Sequence, residues 1–177
     1  MQSAGRVPFA MAQGRESRSL LRRLPWQFRA TGSTVRSRRP PKGGGLSLPI
    51  QLLHLLGAYP DSSGSILHGG RLVWRATVKP SALSDIYQVC IEAKPRSFPQ
   101  VWVSGGAVDR CKDLPSVPHK LGYEERPPRV RVCLQYRDWS TDQLFTETVM
   151  PWCSEWILHF EIWMATDEWH GGGIHPS

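Results

Sequence analysis

Three runs of β-branched and apolar residues, at positions 71–78, 85–92 and 99–103, follow one another with only six residues between neighbours. That spacing is the tightest constraint on the fold. Parallel strands need a crossover of a dozen or more residues, so consecutive runs this close must pair antiparallel, as a meander. In the second run Tyr87, Val89 and Ile91 alternate with polar neighbours, which puts them on one face of a strand. Pro80 ends the first run and Gly105-Gly106 closes the third. A sheet with one apolar face must be covered, and the chain holds helical material on both sides of the meander.

Before it, Leu48-Pro49-Ile50-Gln51-Leu52-Leu53-His54-Leu55-Leu56 reads as a short helix. Pro49 fits an early helical position and Gly57 a stop. After it, Ser140 or Thr141 is a candidate cap and Asp142 suits a helix N-terminus. Pro151 then either kinks that helix or starts a second one. Trp152, Trp156, Phe160 and Trp163 with Met164 recur at helical spacing, and this stripe is expected to be the buried face of the main helix. Between the third strand and position 129 periodicity fades and four prolines appear (Pro115, Pro118, Pro127, Pro128). A connection of that length in a small domain is usually functional or mobile. It leads into Val130-Arg131-Val132-Cys133-Leu134-Gln135-Tyr136, an alternating extended segment. The fold class is therefore α+β, an antiparallel meander packed by N- and C-terminal helices.

The formal charge of +7 does not belong to this domain. Residues 1–45 carry nine Arg and Lys42 against one acid, Glu16, while residues 46–177 hold twelve basic and fourteen acidic side chains. Residues 1–45 are also rich in Ser, Gly and Pro and close on Pro40-Pro41-Lys42-Gly43-Gly44-Gly45, a linker signature. The expected organisation is a disordered basic tail over 1–45 and one domain over 46–177. Contact of the tail with nucleic acid would be non-specific, since no recognition motif accompanies it. No apolar stretch approaches the roughly 20 residues a membrane helix needs, so no membrane partner is expected.

Cys90, Cys111, Cys133 and Cys153 are widely spaced, with no CxxC pair. That is neither a zinc nor a disulfide framework, and it suits a reducing, cytoplasmic setting. His170 and His175 lack the partners that a zinc site needs. His170-Gly171-Gly172-Gly173 resembles an esterase oxyanion motif without the GxSxG nucleophile that would go with it. Gly43-Gly44-Gly45 lacks the end of a phosphate loop. No metal and no cofactor are expected. Cys133 has the most suggestive setting, at the end of the long loop and just before Asp138-Trp139, and its plain alternative is a cysteine simply buried by the alternation of its segment. A nucleophilic thiol needs partial exposure and neighbours that stabilise its anion, for which His119 and Arg131 are candidates. His119, stiffened by Pro118, is also a candidate base or oxyanion donor, and equally a plain loop histidine.

Residues 46–177 resemble the ubiquitin-conjugating enzymes, and most sharply the ubiquitin-conjugating-like proteins of bacterial type II CBASS anti-phage operons. The residues that carry the likeness are Gly70-Arg71-Leu72-Val73-Trp74, Leu114-Pro115 with Pro118-His119, Val132-Cys133-Leu134-Gln135-Tyr136 and Asp138-Trp139. The long ending, from Thr146 through Pro151-Trp152, Glu155-Trp156 and Glu161-Ile162-Trp163 to Trp169-His170-Gly171-Gly172-Gly173-Ile174-His175-Pro176, is the most specific part. The resemblance implies a ubiquitin-conjugating-like fold and a thioester-forming cysteine at Cys133. It implies an enzyme that joins the C-terminus of a CBASS cyclic-GMP-AMP-synthase-like nucleotidyltransferase to an acceptor protein or small molecule. His119 falls where the family has a His-Pro-Asn loop, though no asparagine follows it, and residues 123–128 lengthen the path from it to Cys133. Asp138, or Asp142, is the candidate acid near the incoming amine. The basic tail has no counterpart in the family pattern. The alternative is a non-catalytic binding module on the same fold.

Overall fold

The computed structural model describes residues 45–134 and 139–172. The expected disorder of residues 1–45 therefore falls, apart from Gly45, outside the described residues. Helix α1 (Leu48–Ala58) comes first, with Pro49 in its opening turn. It runs one residue past Gly57 before Tyr59 closes it by donating its N–H to the Leu55 carbonyl. Six strands follow: β1 (Ser63–Ile66), β2 (Leu72–Val78), β3 (Tyr87–Ala93), β4 (Gln100–Gly105), β5 (Lys120–Glu125) and β6 (Pro128–Val132). They form one sheet in the order β1-β2-β3-β4-β6-β5, every pair antiparallel. The meander expected from the short linkers is β2-β3-β4, extended at one edge by β1.

One face of the sheet is dry. Leu72, Trp74, Ala76 and Val78 of β2, Tyr87, Val89, Ile91 and Ala93 of β3, Val101 and Val103 of β4, and Val130 and Val132 of β6 are all buried. This is the period-2 alternation that the sequence carries. Helix α3 (Val149–Thr166) and α1 cover that face in a single core, in which Leu48 and Leu55 meet Val149, Met150, Cys153, Trp156, Ile157 and Phe160. Glu161 fastens α3 to the start of β3 by accepting from the Asp85 N–H and the Tyr87 hydroxyl, each at 2.9 Å. This supports the α+β, ubiquitin-conjugating-like architecture.

Three expectations shift in detail. The region 104–129 is not one long loop: it holds the four-residue helix α2 (Ala107–Arg110), a 3-10 turn (Leu114–Ser116) and the whole of β5. No helix forms over 141–148. Turns replace it because Gln51, buried in α1, takes the Phe145 N–H on its Oε1 and gives its Nε2–H to the Gln143 carbonyl, both at 2.8 Å. Those backbone groups are diverted from helical pairing. Pro151 accordingly lies in the first turn of α3, where its missing N–H costs nothing. The aromatic stripe is buried only at Trp156 and Phe160, while Trp152 and Trp163 are half-buried. The positions fully enclosed between them are Val149, Met150, Cys153 and Ile157.

Candidate active site

Lys120 pairs with Val132 at the open end of the β5–β6 hairpin. One step beyond that pair, the Cys133 N–H donates to the His119 carbonyl at 2.8 Å. The stretch 123–128, which seemed to separate the two residues, is the hairpin itself: it carries the chain out and brings it back. Cys133 and His119 are thus neighbours across the root of the hairpin, though fourteen positions apart in sequence.

His119 is held from several directions. Its carbonyl accepts a second bond, from the Trp156 indole N–H of α3 at 2.9 Å. Its imidazole stacks on the Trp169 ring, with centroids 5.0 Å apart and planes inclined by 28°. Only 6% of the residue is exposed. Its backbone lies at φ +49°, a left-handed conformation uncommon for a side-chain-bearing residue and often found where surrounding structure enforces it at a functional site. Trp156 and Trp169 were visible in the sequence as core and as part of the family ending. Their direct hold on His119 was not, because an indole N–H aimed at a distant carbonyl leaves no periodic trace.

Cys133 is half-buried, and burial pushes its thiol above the ordinary range, with no cation among the described residues opposing the shift. Arg131 does not supply that charge. Its guanidinium lies over the Trp102 ring at 5.9 Å and donates to the Leu121 carbonyl. The resting thiol is therefore neutral and has to lose its proton when it reacts. Because the Cys133 amide is already committed to His119, it is not free to hold an oxyanion.

The other thiols differ. Cys153 is fully buried in α3 and pushed up to about 12 by that burial. Cys90 is half-buried between Arg75 and Trp102 in the cross-strand register, and desolvation raises it against the opposing pull of Arg75 and Arg129. Cys111 is half-buried at the end of α2. Asp138 lies outside the described residues. Asp142 is exposed, and its carboxyl is held below its usual range chiefly by the Ser140 hydroxyl that donates to it. No cluster of three His, Cys, Asp or Glu side chains suited to a metal occurs among the described residues.

The family model for type II CBASS E2 proteins matches residues 51–176, from the second residue pair of α1 to the segment after α3. The chain belongs to the type II CBASS E2 protein family. That membership makes this E2 a ubiquitin-conjugating-like transferase with a thioester-transfer role in CBASS antiviral defence. A comparison with curated proteins returns no match. No helix among the described residues is long and apolar enough to cross a membrane.

Proposed function

We propose that Cys133 is the thiol that carries the acyl group, and that the group is the C-terminus of the operon's cyclic-GMP-AMP-synthase-like nucleotidyltransferase. Cys133 Sγ attacks the activated C-terminal carbonyl and expels the group that activated it, leaving a thioester. An acceptor amine then attacks the same carbonyl, forms an amide and releases the Cys133 thiol. His119 is the candidate partner of that second step, through a hydrogen bond to the developing oxyanion or by taking the amine's proton. Asp138 is the candidate acid that prepares the amine.

The observation that supports this reading is the 2.8 Å bond between the Cys133 amide and the His119 carbonyl. It ties the backbone of a half-buried cysteine to that of a histidine whose carbonyl and ring are also held by Trp156 and Trp169. Among the other cysteines, Cys153 is sealed in the core.

The test is a conjugate with the nucleotidyltransferase encoded beside this protein, resolved on non-reducing gels. A reductant-sensitive band is expected with the native chain, and Cys133→Ser is expected to replace it with a stable oxyester or nothing. Cys90→Ser, Cys111→Ser and Cys153→Ser should leave it in place. A reductant-sensitive band that survives Cys133→Ser would refute the assignment. No adduct under any condition would favour the non-catalytic binding module.

A further inference from the structure

After α3 the chain does not simply run off. Asp167 adopts a left-handed conformation at φ +59° and reverses it, so that residues 168–172 turn back and Trp169 lies among His119, Trp156 and His159. The ring centroids are 5.0, 6.0 and 5.7 Å away, respectively. The hydrogen bonds of this strap are local. Thr166 Oγ1 donates to the Ile162 carbonyl at 2.8 Å and accepts from the Glu168 N–H, and among the described residues His170 pairs with Glu168, at 3.7 Å. The Trp169 indole N–H is buried without a hydrogen-bond partner among the described residues. Trp169 therefore meets the rest of the protein through ring contacts, stacked on His119 and tilted against Trp156 and His159. Gly171 is what lets it lie so close. A Cβ at that position would stand 2.6 Å from Trp169 Nε1 and 2.9 Å from His159 Cδ2.

A ring held by stacking contributes little to global stability beyond its burial. It does, however, fix the plane and direction of whatever it stacks on. Here that partner is the imidazole of His119, whose carbonyl accepts from the Cys133 N–H. We propose that Trp169 is a positioning residue for acyl transfer: the strap clamps the His119 ring in the orientation that the second step requires. The inference rests on the reading of Cys133 and His119 given above.

The assay uses the full chain and a chemically defined donor. A peptide thioester of mercaptoethanesulfonate exchanges onto Cys133, releasing mercaptoethanesulfonate. Free lysine then attacks the Cys133 thioester, giving the peptide–lysine amide and the free thiol. Charging and discharge are measured separately, each with a melting curve. His119→Ala should slow discharge about 100-fold. Trp169→Ala should slow discharge roughly ten-fold or more, since a misaligned group loses rate steeply, while charging keeps its native rate. Trp169→Phe, which keeps a stacking face, should recover most of that rate. Gly171→Ala, which displaces the ring without touching His119, should reproduce the Trp169→Ala defect. Ile162→Ala on the exposed side of α3 is the control and should behave as the native chain. Trp169→Ala combined with His119→Ala should be no slower than His119→Ala alone, because a positioning residue acts only through the group it positions.

A purely structural role would instead lower charging, discharge and melting together, and the double variant would be slower still; that pattern overturns the proposal. Discharge at the native rate in Trp169→Ala, with His119→Ala slow, also overturns it and leaves the role of His119 standing. Discharge at the native rate in His119→Ala defeats the reading of His119 itself, and the positioning role with it.

Discussion

Trp156 gives the sharpest energetic test, because two of its roles can be removed one at a time. The residue is 4% exposed, its ring stacks on Phe160 at 5.2 Å with planes 9° apart, and its N–H donates to the His119 carbonyl at 2.9 Å. Trp156→Ala removes both roles. Truncating a buried tryptophan costs about 3–5 kcal/mol. Trp156→Phe keeps most of the packing and loses the bond, and a hydrogen bond of this kind contributes about 1 kcal/mol net. The His119 carbonyl keeps its bond from Cys133 in that variant, so no buried acceptor is stranded. For a domain of about 130 residues the unfolding entropy is roughly 0.27 kcal/mol per kelvin, so 1 kcal/mol corresponds to about 4 °C in Tm. Trp156→Phe should then melt about 4 °C below the native chain and Trp156→Ala about 11–18 °C below it. Thermal melts followed by far-UV circular dichroism read both. Unchanged melting in Trp156→Ala would show that α3 does not pack as described. Unchanged melting in Trp156→Phe would show that the bond to His119 is not formed.

Three further outcomes are expected. Gln51→Leu strands the Phe145 N–H and the Gln143 carbonyl, of which Gln143 is half-buried and regains some water; a loss of about 2–4 kcal/mol should appear as a fall in Tm of roughly 7–15 °C, and a fall under 3 °C would mean that turns 141–148 are held otherwise. Burial raises the thiols of Cys133 and Cys153, so the folded state binds protons that the unfolded chain releases; stability is fully present below the ordinary thiol range near 9 and declines as pH rises toward the folded value, about 12 for Cys153. Cys153→Ala should flatten that decline in urea titrations, and a decline as steep as the native chain's would count against the burial argument. Removal of residues 1–44 should leave Tm unchanged, because the first bond among the described residues is the Leu46 N–H to the Thr141 carbonyl at 2.7 Å, whereas removal of residues 1–47 should lower it.

What the sequence disclosed follows from how strongly each element is patterned. Strands β2, β3 and β4 alternate cleanly because one side of each is dry, and the short linkers left them one arrangement. Helix α1 announced itself through Pro49 and its run of leucines. Strand β1 reads Ser-Gly-Ser-Ile, with all four residues exposed at the sheet edge, so no apolar alternation marks it. Strand β5, at the other edge, alternates only between half-buried and exposed positions and includes Gly122, which hid it inside an apparent loop. The turns at 141–148 were unreadable for a different reason: a side chain more than ninety residues upstream decides where their backbone bonds go. Likewise Cys133 and His119 could be named one by one, while their adjacency depends on a hairpin register that no local pattern encodes.

Cys133 and His119 are joined backbone to backbone at the root of the β5–β6 hairpin, next to the Lys120–Val132 pair, while the turn lies four rungs away beyond the pair Glu125–Pro128. The root is pinned by Val130, Val132 and the Trp156 bond, and the tip by none of these. A rung added or removed at the tip changes the reach of the hairpin without moving the thiol relative to the imidazole. The fold thus separates a fixed part from a variable one, and the outer end around Arg126 and Pro127 is where insertions can be accommodated while Cys133 and His119 stay where they are.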